Sequence, residues 1–135
     1  MALGNGSNIK TSLPGVRKVQ GVWTGGGAAA NCTKASGDLS QGISSVAYNA
    51  ATGKYKITFT DVGQQIVGGS VEVMRAIATT TPMVANIGRA TFSRSAKTVE
   101  FYVTQLSAAT NPLTDLLTTD KVCINIEFGS VGPNS

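Results

Sequence analysis

Histidine is missing from all 135 residues. That absence excludes a Ser-His-Asp triad, a His-ligated metal and histidine acid/base catalysis. Charge is scarce too, at 13% against the ~25% of an ordinary globular domain. With 41% hydrophobic residues, the chain is still too apolar and too weakly charged for disorder throughout. No apolar run approaches the ~20 residues that a membrane-spanning helix needs. Cysteine is limited to Cys32 and Cys123, with no C-x-x-C. Two thiols and no imidazole argue against a structural zinc site within one chain. The two could form one disulfide, but Cys123 sits in a strand-like run, where a buried free thiol is the commoner state. The first residues have neither a basic n-region nor an apolar h-region, so a secretory signal is not expected and synthesis in a reducing cytosol is.

The basic residues outnumber the acidic ones eleven to seven, a net charge of +4. This mild bias favours an acidic neighbour without identifying one. Lys10, Arg17, Lys18, Lys34, Lys54, Lys56, Arg75, Arg89, Arg94, Lys97 and Lys121 are scattered and read as solvated surface positions. A nucleic-acid binder would cluster them with exposed aromatics. Neither nucleic acid nor membrane is expected as a partner.

What the chain does have is small residues, glycine alone contributing 16. Few charges and many small residues suit a β-rich protein that buries its surface against copies of itself. Residues 1–15, broken by Gly4, Asn5, Gly6, Pro14 and Gly15, read as an extended N-terminal arm. Residues 130–135 read as a polar C-terminal tail. A partner subunit is the simplest candidate to hold both, and a fold-back onto the chain's own domain is the alternative.

Residues 16–129 form one β domain. Its hydrophobic period is two, the signature of half-buried strands. In Lys54–Thr60, Tyr55, Ile57 and Phe59 share one face. Ser70–Ala78 alternates Val71, Val73, Arg75 and Ile77 with Glu72, Met74, Ala76 and Ala78. Lys97–Gln105 turns Val99, Phe101 and Val103 inward. Lys121–Phe128 does the same with Val122, Ile124, Ile126 and Phe128. Weaker strands are expected at Val16–Thr24, Ile43–Ala50 and Met83–Phe92. About seven strands separated by turn signals predict a single antiparallel β-sandwich or barrel. Ala51-Thr-Gly53 and Ser93-Arg-Ser-Ala96 read as hairpin loops. Asp61-Val-Gly63 and Val67-Gly-Gly69 read as turns flanking a short connection. The one helical candidate is Ala108–Thr119, interrupted by Asn111-Pro112, where Leu113, Leu116 and Leu117 could form a short turn.

Chemistry is sparse. Asp38, Asp61, Glu72, Glu100, Asp115, Asp120 and Glu127 are the only acids. Glu72, Glu100 and Glu127 fall on outward strand faces, where acids are solvated or bridge subunits. Asp115 and Asp120 could share a cation, but their spacing matches no EF-hand loop. Neither Gly25-Gly-Gly nor Gly68-Gly is a phosphate loop. A cysteine nucleophile would lack a histidine base. No enzyme and no cofactor are expected. Gly25-Gly-Gly-Ala-Ala-Ala-Asn31 is either a segment packed closely against a neighbouring subunit or an ordinary surface linker.

Candidate partner contacts are Arg89, Arg94 and Lys97, which gather positive charge near one hairpin, and Leu3 and Ile9 in the arm. Trp23, the sole tryptophan, is either a core or rim anchor, a contact residue, or part of a sugar-binding platform.

Gly53-Lys-Tyr-Lys-Ile-Thr-Phe-Thr, Val71-Glu-Val, Lys97-Thr-Val-Glu-Phe-Tyr-Val and Asp120-Lys-Val-Cys-Ile-Asn-Ile-Glu-Phe128 together resemble small structural proteins of tailed bacteriophages. The likeness covers about residues 50–128, in the form G-x-Y-x-(I/V)-x-F, then T-V-x-(F/V), then an alternating strand after an Asp. It implies a capsid decoration or cement protein: a non-enzymatic subunit on the virion surface, made in the host cytoplasm. Its partners would be the major capsid protein and further copies of itself, as a homotrimer. A tail, neck or head-fibre component is the alternative within virions, and a carbohydrate-binding or adhesin-like β-sandwich the alternative outside them.

Overall fold

The computed structural model describes residues 16–76, 82–106 and 112–129. Eight strands run in order: β1 (Val16–Thr24), β2 (Ser40–Gln41), β3 (Ile43–Asn49), β4 (Lys54–Phe59), β5 (Gln65–Met74), β6 (Met83–Ser93), β7 (Thr98–Gln105) and β8 (Lys121–Gly129). They form two antiparallel sheets of four, in the orders β2-β1-β8-β5 and β3-β4-β7-β6. The architecture is a β-sandwich, not a closed barrel.

The period-two pattern explains the sandwich directly. Val122, Ile124, Ile126 and Phe128 of β8, Val99, Phe101 and Val103 of β7, and Tyr55, Ile57 and Phe59 of β4 all point between the sheets, essentially without solvent exposure. Each of these three strands is central or nearly so, which is why their inner faces carry the largest apolar side chains. Phe128 bridges the layers, its ring 5.0 Å from Phe59 edge-on and 5.7 Å from Phe92. Tyr55 stacks on Phe101 at 5.3 Å within its own sheet.

Two expectations are corrected. Val67-Gly-Gly69 is not a turn but the interior of β5, which begins five residues earlier than its hydrophobic pattern suggests. The β5–β8 register slips between Ile66 and Gly68. Gly69 takes φ +135°, and a Cβ there would lie 2.3 Å from the Asn125 carbonyl oxygen. Only glycine fits here, two residues past the bulge at Val67. The described part of the helical candidate, residues 112–119, is extended and turn-like. Leu113 bridges Thr104, the Gln105 N–H donates to Pro112 O and the Thr114 N–H to Val103 O. Pro112 has no N–H to give to a helix, and β7, which outruns β4 here, offers the segment a free edge instead.

The strand Ser70–Ala78 ends at Met74, and Ile77 and Ala78 lie outside the described residues. The arm, the tail and residues 107–111 also lie outside them, so the assignments made for residues 1–15 and 130–135 are not addressed.

Candidate functional site

The two ends of the sandwich differ. At one end, Val16 and Gln65 both pair with Gly129, and the Asp61–Gln64 connection closes beneath them. The Gln64 N–H donates to Gly129 O at 2.9 Å, and Gly63 lies so near Phe128 and Gly129 that a Cβ would collide at 2.7 Å. Arg17 pairs with Asp61 at 3.2 Å. This pairing, with the Val62 N–H also donating to the carboxylate, holds the Asp61 carboxyl below its ordinary range.

At the opposite end, Asp120 is the anchor. Its side chain is buried, its Oδ1 accepts from Arg75 Nε at 3.0 Å, and its Oδ2 accepts from the Leu117 N–H at 2.9 Å. Its carbonyl accepts from the Gly25 N–H at 2.9 Å. Leu116 is driven into the core, and its N–H donates to the Tyr55 hydroxyl at 2.8 Å. Burial pushes the Tyr55 phenol up to about 12.

The small residues of Gly25–Ala30 are explained here. A Cβ on Gly25 would sit 2.4 Å from Leu117 O and 2.7 Å from Leu116 Cβ. The close packing expected against a neighbouring subunit is therefore made within the chain. Asp115 accepts from the Ala29 N–H at 2.9 Å and raises the Tyr48 phenol, second to burial. Asp115 and Asp120 thus serve different partners, and no cluster of acids and thiols able to hold a metal is present among the described residues.

Six of the seven acids are committed to joining elements. Asp38 binds Lys121 Nζ at 3.0 Å, Glu127 lies 3.5 Å from Lys18, and Glu100 accepts from Asn49 Nδ2 at 3.1 Å; Asp61, Asp115 and Asp120 are accounted for above. Both cysteines are free. Cys32 is in the core, where burial pushes its thiol up to about 12, the reverse of an activated nucleophile. Cys123 lies on the outer face of β8, opposite Val22 and Glu72.

Trp23 is 7% exposed, and its indole N–H donates to Ser40 Oγ at 3.2 Å. It is a core anchor, so its ring is not presented as an exposed sugar platform. The basic hairpin is divided. Arg94 and Lys97 stand at the β6–β7 turn, with Lys97 at φ +62° and its carbonyl accepting from the Phe59 N–H at 2.8 Å. Arg89 instead borders a cleft between β5 and β6. Leu3 and Ile9 lie outside the described residues.

The cleft belongs to an asymmetry that sequence reasoning did not reach. On one side, residues 31–41 cover the outer edges of both sheets. Thr33 pairs with Thr24, Leu39 O accepts from the Val22 N–H, and β2 pairs with Gln20 and Gly21. The Cys32 N–H donates to Val46 O, and Asn31 Oδ1 accepts from the Tyr48 N–H. On the other side, the edges of β5 and β6 carry no such cover among the described residues. Between them lies a cleft of about 400 Å³ lined by Gln65, Ile66, Val67, Gly68, Gly69, Ile87 and Arg89.

Natural edge strands are blunted by charged side chains, proline, bulges or short length, and β5 has one bulge and one charge, Glu72. β6 is disturbed between Gly88 and Ser93, where Thr91 Oγ1 accepts from the Glu100 N–H at 2.8 Å in place of a backbone carbonyl. β5 is ten residues long and contains no Lys, Arg or Pro. Its bulge residue Val67 is 50% exposed.

Set against family models, curated proteins and solved structures, the chain matches none.

Proposed function

We propose that this protein is a non-enzymatic structural subunit of a phage virion, binding and stabilising the capsid exterior as a cement or decoration protein. The observation that carries the reading is the one-sided closure of the sandwich. A ten-residue edge strand without Lys, Arg or Pro, left uncovered among the described residues beside a cleft lined by Ile66, Val67 and Ile87, is a liability in a free monomer and an asset in a subunit that is covered on assembly. Strand addition to such an edge draws affinity from main-chain hydrogen bonds, which suits a surface with few charges. The commitment of six acids to internal joints supports the same reading, because a shell component needs rigidity at its contacts. The sequence likeness to small phage structural proteins adds the location: the capsid surface, with the major capsid protein as partner and copies of this chain, as a homotrimer, as neighbours. Many weak contacts per particle then add up through avidity.

The test is reconstitution. Purified protein added to particles assembled without it is expected to bind at a fixed ratio to the capsid subunit and to raise the temperature at which particles disrupt. Absence of binding, or binding with no change in disruption temperature, would overturn the cement role.

A further inference from the structure

We infer that the β5–β6 cleft is the receptor for the N-terminal arm of a second copy of this chain, which adds as a strand along the outer edge of β5. This deepens the reading of the open edge as an assembly surface, and it needs no capsid to be tested.

Three observations name the occupant. The first is the chemistry of the cleft. Ile66, Val67 and Ile87 offer apolar contacts, and Gly68 and Gly69 bring no side chain of their own to the strand edge, although Glu127 of β8 lies against Gly68; glycine within a strand marks places where another backbone can approach closely.

The second is the pattern of the arm. Within Asn8–Leu13, Ile9, Thr11 and Leu13 alternate with Asn8, Lys10 and Ser12. In an extended conformation this places apolar and β-branched side chains on one face and polar ones on the other. Laid against β5, the first face would enter the cleft toward Ile87 and the second would face water. Thirteen residues extend over about 43 Å, enough to leave one molecule and lie along a ten-residue strand of the next.

The third observation separates the copies. Val16 and Gln65 flank Gly129 in the same sheet, so a chain's own arm starts about 10 Å from its own β5. That short route runs past the end of β8, where Gly63 and Gln64 pack on Phe128 and Gly129; an arm passed to a second copy does not have to clear that connection.

The experiment is complementation between two full-length variants, followed by light scattering. Ile9→Asp with Leu13→Asp spoils the arm; Val67→Arg spoils the cleft. The wild type is expected to self-associate, and each variant alone to dissociate at least tenfold more readily. An equimolar mixture should recover a two-chain particle, because the intact arm of the Val67→Arg chain can enter the intact cleft of the other.

A monomeric wild type, variants that self-associate like the wild type, or a mixture that stays monomeric would each overturn the exchange. Val67 is half-exposed, so Val67→Arg should melt with the wild type, and the melting of the arm variant is measured beside it. If Val67→Arg does not, Gln65→Arg, exposed on the same rim, takes its place. Loss of self-association with capsid binding intact, or the reverse, separates this inference from the proposed function.

Discussion

Tyr55 joins two parts of the molecule through one side chain. Its ring stacks in the core, and its hydroxyl accepts the backbone N–H of Leu116. Tyr55→Phe keeps the ring and leaves that buried N–H without an acceptor, so urea unfolding should show a loss of about 1–3 kcal/mol. A loss below about 0.5 kcal/mol, within the range of surface substitutions, would mean the 112–120 segment does not depend on this bond. Cys32 supplies a pH dependence. Its thiol is held protonated to about 12 in the folded state, against 9.0 when free. Below pH 9 both states keep the proton and stability is unaffected. Between pH 9 and 12 the unfolded chain loses it and the folded chain does not, so stability falls as pH rises, by up to about 1.4 kcal/mol per unit from this group. Tyr55, raised from 10.0 to about 12, adds to the fall from pH 10 upward. Cys32→Ala should remove the portion that begins near pH 9 and leave the portion that begins near 10; equal slopes for variant and wild type would contradict the assignment.

At the scale of elements, β5 depends on a backbone conformation just past its bulge, at Gly69, that only glycine adopts. Gly69→Ala would force a Cβ against Asn125 O and Ile126 Cα at a φ of +135°, with an expected loss of about 2–4 kcal/mol by thermal or urea unfolding. Gly37→Ala, where a Cβ would meet nothing within 4 Å, should change stability by less than about 0.5 kcal/mol. Comparable losses at the two sites would remove that conformation as the cause. The same stretch of β5 shows why part of this fold was hidden in the sequence. β4, β7 and β8 were legible because their large apolar side chains alternate without interruption. β5 was half legible: Gly68 and Gly69 read as a turn when taken locally, and only the neighbouring β8 strand makes them strand residues. β2, at two residues, has no period to read. Leu113, Leu116 and Leu117 carry a helical spacing, but Pro112 and the free edge of β7 decide the outcome. The open cleft was invisible for a similar reason. Which edges are covered among the described residues depends on residues 31–41, which lack a strand pattern and reach both sheets through backbone hydrogen bonds and the Asn31 side chain.

For the whole molecule, stability should be graded from the middle outward. β8 lies between β1 and β5, and its four inward side chains are fully buried. β7 holds the corresponding place between β4 and β6. Amide hydrogen exchange is expected to be slowest in β7 and β8 and fastest along residues 88–93 of β6, where a threonine hydroxyl replaces a ladder carbonyl. Uniform protection across all eight strands would show that the sandwich opens only as a unit.

The pairing of Val16 with Gly129 has a consequence for connectivity. The first and last described residues of the sandwich face one another across a ladder, so the path of the described backbone nearly closes on itself. A short linker joining these positions would complete the circle, and new ends could be cut at Gly37, in a surface turn with open space around it. Both sheets would be conserved in such a permuted chain.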